Sequence, residues 1–235
     1  MIGKALLLLS LLEGAWELES YRLQGKDVPA TGVMIFSDGR FAMVYTMDHQ
    51  GRSGRAHGGE YRLEGHRITF DIPWWIQRVP GEPQVMDGKR AAGAAVKQTE
   101  NSLTIEFDGG SVQVFRRLPS RSGDDLDGAW LLESYEGSAR TGPTTGMVLF
   151  RDGRFALLYT MKPEGGLDGR AHAGTFARAR DAVNLGVKWE VVSLSGEAVV
   201  AEKTYERETG VVIANDRLTL DYGKGASQTF RRAGP

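Results

Sequence analysis

Residues 12–21 read Leu-Glu-Gly-Ala-Trp-Glu-Leu-Glu-Ser-Tyr, and residues 126–135 read Leu-Asp-Gly-Ala-Trp-Leu-Leu-Glu-Ser-Tyr. The offset between the two stretches is 114 positions, and it becomes 115 after one inserted residue further along the chain. Two further segments keep this register: Phe36–Ala42 matches Phe150–Ala156, and Gly54–His57 matches Gly169–His172. A register sustained over about 100 residues is not a chance event, so the sequence indicates a tandem duplication.

The duplication predicts two domains of one kind. We expect a first barrel over residues 1–118, a linker over 119–125 and a second barrel over 126–235. The linker is polar and rich in turn-forming residues. Residues 1–11 are apolar and short, and we expect them to plug or cap the first barrel; an export remnant or a mis-set start is the alternative. A small-x-small cleavage site does not follow this stretch. We therefore favour a cytoplasmic protein, with export as the alternative, and no membrane span.

Each copy consists of short runs with β character that turn residues separate. In the first copy we predict eight strands near 15–23, 31–37, 40–48, 54–63, 66–72, 88–99, 102–108 and 111–118. The dipeptides Asp38-Gly39 and Asp152-Gly153 lie between alternating apolar runs and are typical of tight hairpins. The predicted fold class is all-β, with two tandem antiparallel barrels of about eight strands each, and a sandwich is the alternative.

Three motifs suggest a family. They are Gly-Ala-Trp-x-Leu-x-Ser-Tyr, the hairpin Phe-x-Asp-Gly-Arg-Phe, and a closing Leu-Thr-Leu strand before Arg-Arg. The chain resembles the bacterial lipocalin-like domain family, whose architecture is similar to that of lipocalins and fatty-acid-binding proteins, here present twice. The resemblance implies a barrel of eight to ten strands around a central apolar cavity, and its motifs are structural. The segment 73–87 departs from a plain meander, so a lid or an altered strand order is an alternative.

Composition narrows the function. A net charge of −1 with interspersed signs gives no basic field for nucleic acid. The chain has no cysteine and only four histidines, which give no cluster of metal-ligand spacing, so we predict no metal and no other cofactor. Haem with one histidine ligand is a weak alternative. Gly-x-Ser-x-Gly elbows, phosphate loops and dinucleotide fingerprints are also missing from the sequence.

Strand alternation predicts which side chains face each lumen. On the first strand we expect Trp16, Leu18 and Ser20 to point inward and Tyr21 outward. The alternating side chains of the strand that ends at Trp74, and those of its counterpart that ends at Trp189, should line the two cavities. The strand from Phe41 is apolar on both faces, which indicates that its outer face packs against the sister barrel or another subunit. A homodimer is therefore an alternative assembly.

The polar residues with the best claim to chemistry are one pair in each copy, Arg55 with His57 and Arg170 with His172. A lumenal arginine could hold a carboxylate or enolate, and a histidine near its ordinary pKa could exchange protons. The alternative is structural: an ion pair that closes a barrel end and a histidine bonded to a backbone carbonyl. The predicted ligand-binding residues are aromatic, and each could instead be core packing: Trp16, Tyr45, Phe70, Trp74, Trp75, Trp130, Tyr159 and Trp189. Trp74 and Trp75 with residues 80–83 suggest an aromatic lip and a loop over the barrel mouth.

Three hypotheses follow for the function. The first is binding or sequestration of a small, mainly hydrophobic ligand in a barrel cavity. The second is an enzyme of the cyclase or isomerase type that acts on a polyketide- or terpenoid-like substrate. The third is a structural or interaction module whose barrels are filled by their own side chains.

Overall fold

The structure is a computed structural model that describes residues 12–48, 51–79, 85–86, 89–121, 123–137, 142–164, 166–194 and 197–234. At residues 85–86, 197–199 and 201–203 it describes the backbone alone. The predicted N-terminal plug and the predicted loop at 80–83 lie outside the described residues. Within the described part of the chain, no helix is long and apolar enough to span a bilayer.

The first barrel is closed, because its last strand pairs with its first. Eight strands run around it in the order β1-β3-β4-β5-β6-β8-β9-β10, while β2 pairs beside β1 and β7 beside β6. The bounds are β1 Gly14–Leu23, β2 Lys26–Val28, β3 Ala30–Ser37, β4 Arg40–Asp48, β5 Arg52–Glu64, β6 Arg67–Arg78, β7 Val85–Met86, β8 Arg90–Gln98, β9 Ser102–Phe107 and β10 Ser111–Arg117.

The second barrel is closed by eight strands in sequence order, β11 to β18. The bounds are β11 Gly128–Glu136, β12 Thr144–Arg151, β13 Arg154–Met161, β14 Asp168–Ala179, β15 Ala182–Leu194, β16 Glu197–Ala214, β17 Arg217–Asp221 and β18 Ser227–Arg232. All strand pairs are antiparallel. The prediction of two tandem antiparallel barrels is therefore confirmed.

The Asp-Gly hairpins form as predicted. Asp38 and Asp152 both have a φ of 54°, and the glycines that follow have φ values of 71° and 69°. Two successive residues with positive φ give the turn whose twist matches that of the flanking strands. Aspartate tolerates this conformation better than most side chains, and glycine adopts it without strain.

Bulges overturn part of the predicted alternation. The register of β1 shifts between Leu18 and Ser20, so Tyr21 turns into the lumen and is buried, whereas Ser20 is exposed. The prediction for this pair was wrong. A bulge places one extra residue in one strand and reverses the faces of all residues beyond it.

The same effect moves two predicted ligand-binding tryptophans. A bulge in β6 between Asp71 and Trp74, and another in β15 between Val187 and Trp189, shift the later residues of their strands. As a result Trp74 and Trp189 leave the lumens and pack between the two barrels. Their predicted lumenal position was wrong.

Three clusters of buried residues make up the interior: one in each barrel and one between the barrels. Strand β4 serves two of them. Phe41, Met43 and Tyr45 face the first lumen, while Ala42 and Val44 pack in the inter-barrel cluster. The second surface for the two-sided strand is therefore the sister barrel, one of the two alternatives that the sequence left open.

The two barrels contact each other reciprocally. The Nε1–H of Trp74 donates to Thr145 Oγ1 at 3.1 Å, and the Nε1–H of Trp189 donates to Thr31 Oγ1 at 2.9 Å. Likewise, the carboxylate of each hairpin aspartate accepts from the first strand of the other barrel: Ala129 N–H to Asp38 Oδ2 is 3.0 Å, and Ala15 N–H to Asp152 Oδ2 is 3.2 Å. Paired contacts of this kind define an isologous interface, as in a symmetric dimer.

Candidate functional site

The tryptophan of the opening motif is buried in the core of each barrel. Trp16 and Trp130 are fully buried, and their Nε1–H groups donate to the carbonyls of Leu12 and Leu126 at 2.9 and 2.8 Å. An arginine from the last strand of each barrel covers the indole ring, with the guanidinium carbon 4.1 and 4.0 Å from the ring centroid. In both tryptophans the indole N–H thus has a hydrogen-bond acceptor and the ring has an arginine packed over it.

The lumen of the second barrel contains a cavity of about 170 Å³. Its apolar wall is made of Phe155, Leu157, Leu185, Val187 and Ala226. Its polar groups are Tyr135, Tyr159, Arg170, His172, Glu190, Tyr205, Arg207, Tyr222 and Gln228. A pocket with an apolar wall and a set of convergent polar groups is the usual form of a small-molecule site. The lining of this cavity is more polar than the mainly apolar lining that we predicted.

Two arginines reach this cavity from different strands. Arg170 lies on β14 and is half-buried, whereas Arg207 lies on β16 and is exposed at the mouth, with its guanidinium carbon 4.3 Å from the Tyr222 ring centroid. Within the described part of the chain, neither guanidinium has an ion pair or a hydrogen bond. The charges of both arginines lower the pKa of His172 and oppose the rise in the pKa of Tyr159. Both arginines therefore act electrostatically on the same part of the cavity.

The tyrosines of the cavity are hydrogen-bond donors. Burial raises the pKa of Tyr159 and of Tyr222 well above the ordinary value of 10.0, so both phenols stay protonated across the physiological range. The Tyr222 hydroxyl donates to Gln228 Oε1. Tyr135 lies against Tyr159 with ring centroids 5.7 Å apart. Phenols in such a setting can orient a polar ligand group.

His172 sits beside the two arginines and is neutral. Burial, followed by the charges of Arg170 and Arg207, lowers its pKa from 6.5 to about 4. Its Nδ1 lies 3.4 Å from the Tyr205 hydroxyl and 3.4 Å from Glu190 Oε1. A histidine near its ordinary pKa would be partly charged near neutral pH, whereas here burial and, after it, the charges of the two arginines oppose the imidazolium. At neutral pH the imidazole is therefore an uncharged hydrogen-bonding group.

The first lumen holds the matching pair in a more crowded setting. Arg55 hydrogen-bonds with the buried Tyr45, and the His57 ring stacks on Trp75 with centroids 4.0 Å apart. Burial, then Arg55 and Arg90, lower the pKa of His57 to about 3. Phe70 is buried in the same lumen. Three of the predicted ligand-binding residues, Tyr45, Phe70 and Trp75, thus belong to the packed core of the first barrel.

The strand registers allow the two lumens to be compared position by position. His57 pairs with Trp75, and His172 pairs with Glu190. The first barrel carries the larger or more apolar side chain at most of the compared positions: Phe70 for Leu185, Ile72 for Val187, Trp75 for Glu190, Phe107 for Tyr222 and Ala92 for Arg207. The two lumens have therefore diverged in volume and polarity.

Of the predicted site residues, the structure brings Tyr159, Arg170 and His172 together in the cavity. Five further residues of the cavity were not predicted from the sequence: Tyr135, Tyr205, Arg207, Tyr222 and Gln228. A usable signal was present for β16, where Tyr205, Arg207, Thr209 and Val211 alternate with outward residues. Tyr135 gave no such signal, because a bulge between Leu132 and Ser134 places it.

Comparison of the chain with protein-family models, curated proteins and solved structures finds no significant match. The two closed eight-stranded barrels agree with the architecture that the lipocalin-like resemblance implies, and membership of that family stays a prediction.

Proposed function

We propose that the second barrel binds a small anionic molecule in its lumen and that the first barrel serves as its structural partner. The observation that carries the proposal is the pair Arg170 and Arg207, two guanidiniums without a carboxylate partner among the described residues, in one cavity. Arginine pairs well with carboxylates and phosphates because its planar fork matches their geometry. Glu190 lies in the same cavity, so the three charges leave one positive charge for a monoanion.

The cavity size limits the ligand. A volume of about 170 Å³ is close to that of engineered cavities that hold one benzene-sized molecule, and below the range usual for drug-sized ligands. A compact acid fits this space, whereas a polyketide or terpenoid chain does not. The apolar wall from Phe155 to Val187 would hold the body of such an acid, and the arginines its charge.

Isothermal titration with two compact acids, benzoate and cyclohexanecarboxylate, tests the proposal when each is compared with its neutral amide. The acids should bind and the amides should bind far more weakly. Arg170→Gln and Arg207→Gln should each weaken acid binding by about tenfold or more, since charge-assisted hydrogen bonds contribute roughly 1.5–3 kcal/mol. Arg62→Gln, an exposed change in the first barrel, is the matched control and should leave binding unchanged.

A second pair of variants tests the location. Glu190→Trp copies the residue that fills the first lumen and should abolish binding. Asn184→Trp places the same side chain on the exposed side of the same strand, β15, and should not. If neither acid binds, or if both tryptophan variants bind as the unchanged protein does, the second lumen is not the site.

A further inference from the structure

The two barrels hold equivalent histidines in different company. In the first barrel the Trp75 ring lies parallel to the His57 ring, with an interplanar angle of 22° and a centroid distance of 4.0 Å. On the Trp75 ring, the guanidinium carbon of Arg90 lies 5.1 Å from the centroid. The indole is thus held by a stacked imidazole and a nearby cation.

Stacking, not hydrogen bonding, sets the position of this indole. Trp75 Nε1 is buried and has no hydrogen-bond partner among the residues that the structure describes. His57 Nε2 is in the same situation. A buried N–H without a partner is costly, whereas the close contact of the two rings is favourable. The face of this histidine is therefore a favourable surface for a flat ring.

Among the described residues of the second barrel, no aromatic ring is paired with the corresponding histidine, and His172 lines the cavity. Glu190 stands at the position of Trp75, and its carboxylate reaches His172 Nδ1 without the area of an indole. His172 lines the cavity together with the apolar side chains of Leu157 and Val187. The neutral imidazole adds no positive charge that would need a counter-ion at this point.

We infer that the ligand of the second barrel carries a planar aromatic ring, which stacks on His172 as Trp75 stacks on His57. The anionic group of the same molecule reaches Arg170 and Arg207, so the ligand class is a small aromatic acid. This inference rests on the proposed function and specifies its ligand. In the first barrel, the protein's own Trp75 ring occupies the equivalent position.

The test compares benzoate with cyclohexanecarboxylate, which has the same charge and a similar size but no flat ring. We expect benzoate to bind roughly threefold to tenfold more tightly, in line with measured aromatic pairs. His172→Leu should remove this preference, so that the two acids bind the variant with equal affinity. His172→Phe keeps a ring at the position and should restore the preference.

Nuclear magnetic resonance of labelled histidine gives a readout that needs no variant. Benzoate should shift the ring-proton signals of His172 upfield, while those of the exposed His66 stay in place, and cyclohexanecarboxylate should not reproduce the shift. Equal affinities for the two acids, or a benzoate complex without an upfield shift at His172, would overturn the inference and leave the proposed function standing. Failure of both acids to bind would overturn both.

Discussion

Removing the carboxylate of Asp38 should destabilise the whole protein, although the residue lies in a hairpin turn of the first barrel. Its Oδ2 accepts a hydrogen bond from the N–H of Ala129, a fully buried residue of the second barrel, at 3.0 Å. An orphaned buried amide costs about 1–3 kcal/mol. Asp38 also has a φ of 54°, and a residue with an ordinary side chain pays about 1 kcal/mol or more for that conformation.

Two variants separate these contributions. Asp38→Gly keeps the backbone free to adopt positive φ and removes the carboxylate, which accepts from Ala129 N–H and from the Ser37 hydroxyl, so it should lower the free energy of unfolding by about 1–3 kcal/mol. Asp38→Ala adds the backbone strain and should lower it by about 2–4 kcal/mol. Asp152→Gly should lower it by at least as much as Asp38→Gly, because it removes the reciprocal bond to Ala15 and also the bonds that Asp152 Oδ1 accepts from Ser120 Oγ and Arg121 N–H.

Urea unfolding followed by tryptophan fluorescence measures these changes. Asp216→Gly is the control: this aspartate also has a positive φ, of 59°, in an exposed turn, and among the described residues its side chain makes no bond to the other barrel. It should stay within about 0.5 kcal/mol of the unchanged protein. If Asp38→Gly behaves like Asp216→Gly, the aspartate does not support the neighbouring barrel and the reasoning fails.

Three further predictions concern protons and the interface. The unfolded chain binds a proton at His172 below pH 6.5, whereas the folded chain does so only near pH 4, so the free energy of unfolding should fall as the pH falls through this window. Calorimetric melting between these values should show a shallower fall for His172→Gln and an unchanged one for the exposed His66→Gln. Trp189→Phe removes the hydrogen bond to Thr31 Oγ1 and should lower the free energy of unfolding, measured with urea, by about 1 kcal/mol. Since burial raises the pKa of Tyr159, the unfolded chain loses that proton first, and stability should fall as the pH rises above 10; Tyr159→Phe should reduce the fall, with unfolding followed by circular dichroism.

The fold could be predicted from sequence because its signals are local. Each of these signals acts over a few residues: the Gly-Ala-Trp motif, the Asp-Gly hairpins and the apolar alternation. They located the eight main strands of the first barrel to within a few residues. The exception is β6, which continues to Arg78. The two short strands β2 and β7 lack such signals. Bulges escaped as well, because one inserted residue reverses every later side chain without leaving a mark in composition.

The site was predicted only in part for the same reason. Arg170, His172 and Tyr159 lie on strands whose alternation is regular, and their lumenal position followed from counting. Tyr135 and Trp189 come after bulges, so counting placed them on the wrong face or did not select them. The lowered pKa of His172 results first from burial in the closed barrel, then from Arg170 and from Arg207, which is distant in sequence and adjacent only after the barrel closes.

The reciprocal interface has a consequence for how such a protein can change. In a dimer of identical chains every mutation appears twice, so a substitution that blocks one pocket blocks both. Here positions 75 and 190 are encoded separately, and a tryptophan at the first coexists with a glutamate at the second. Fusion of the two copies thus lets one barrel trade its pocket for a packed interior while its neighbour keeps an open one.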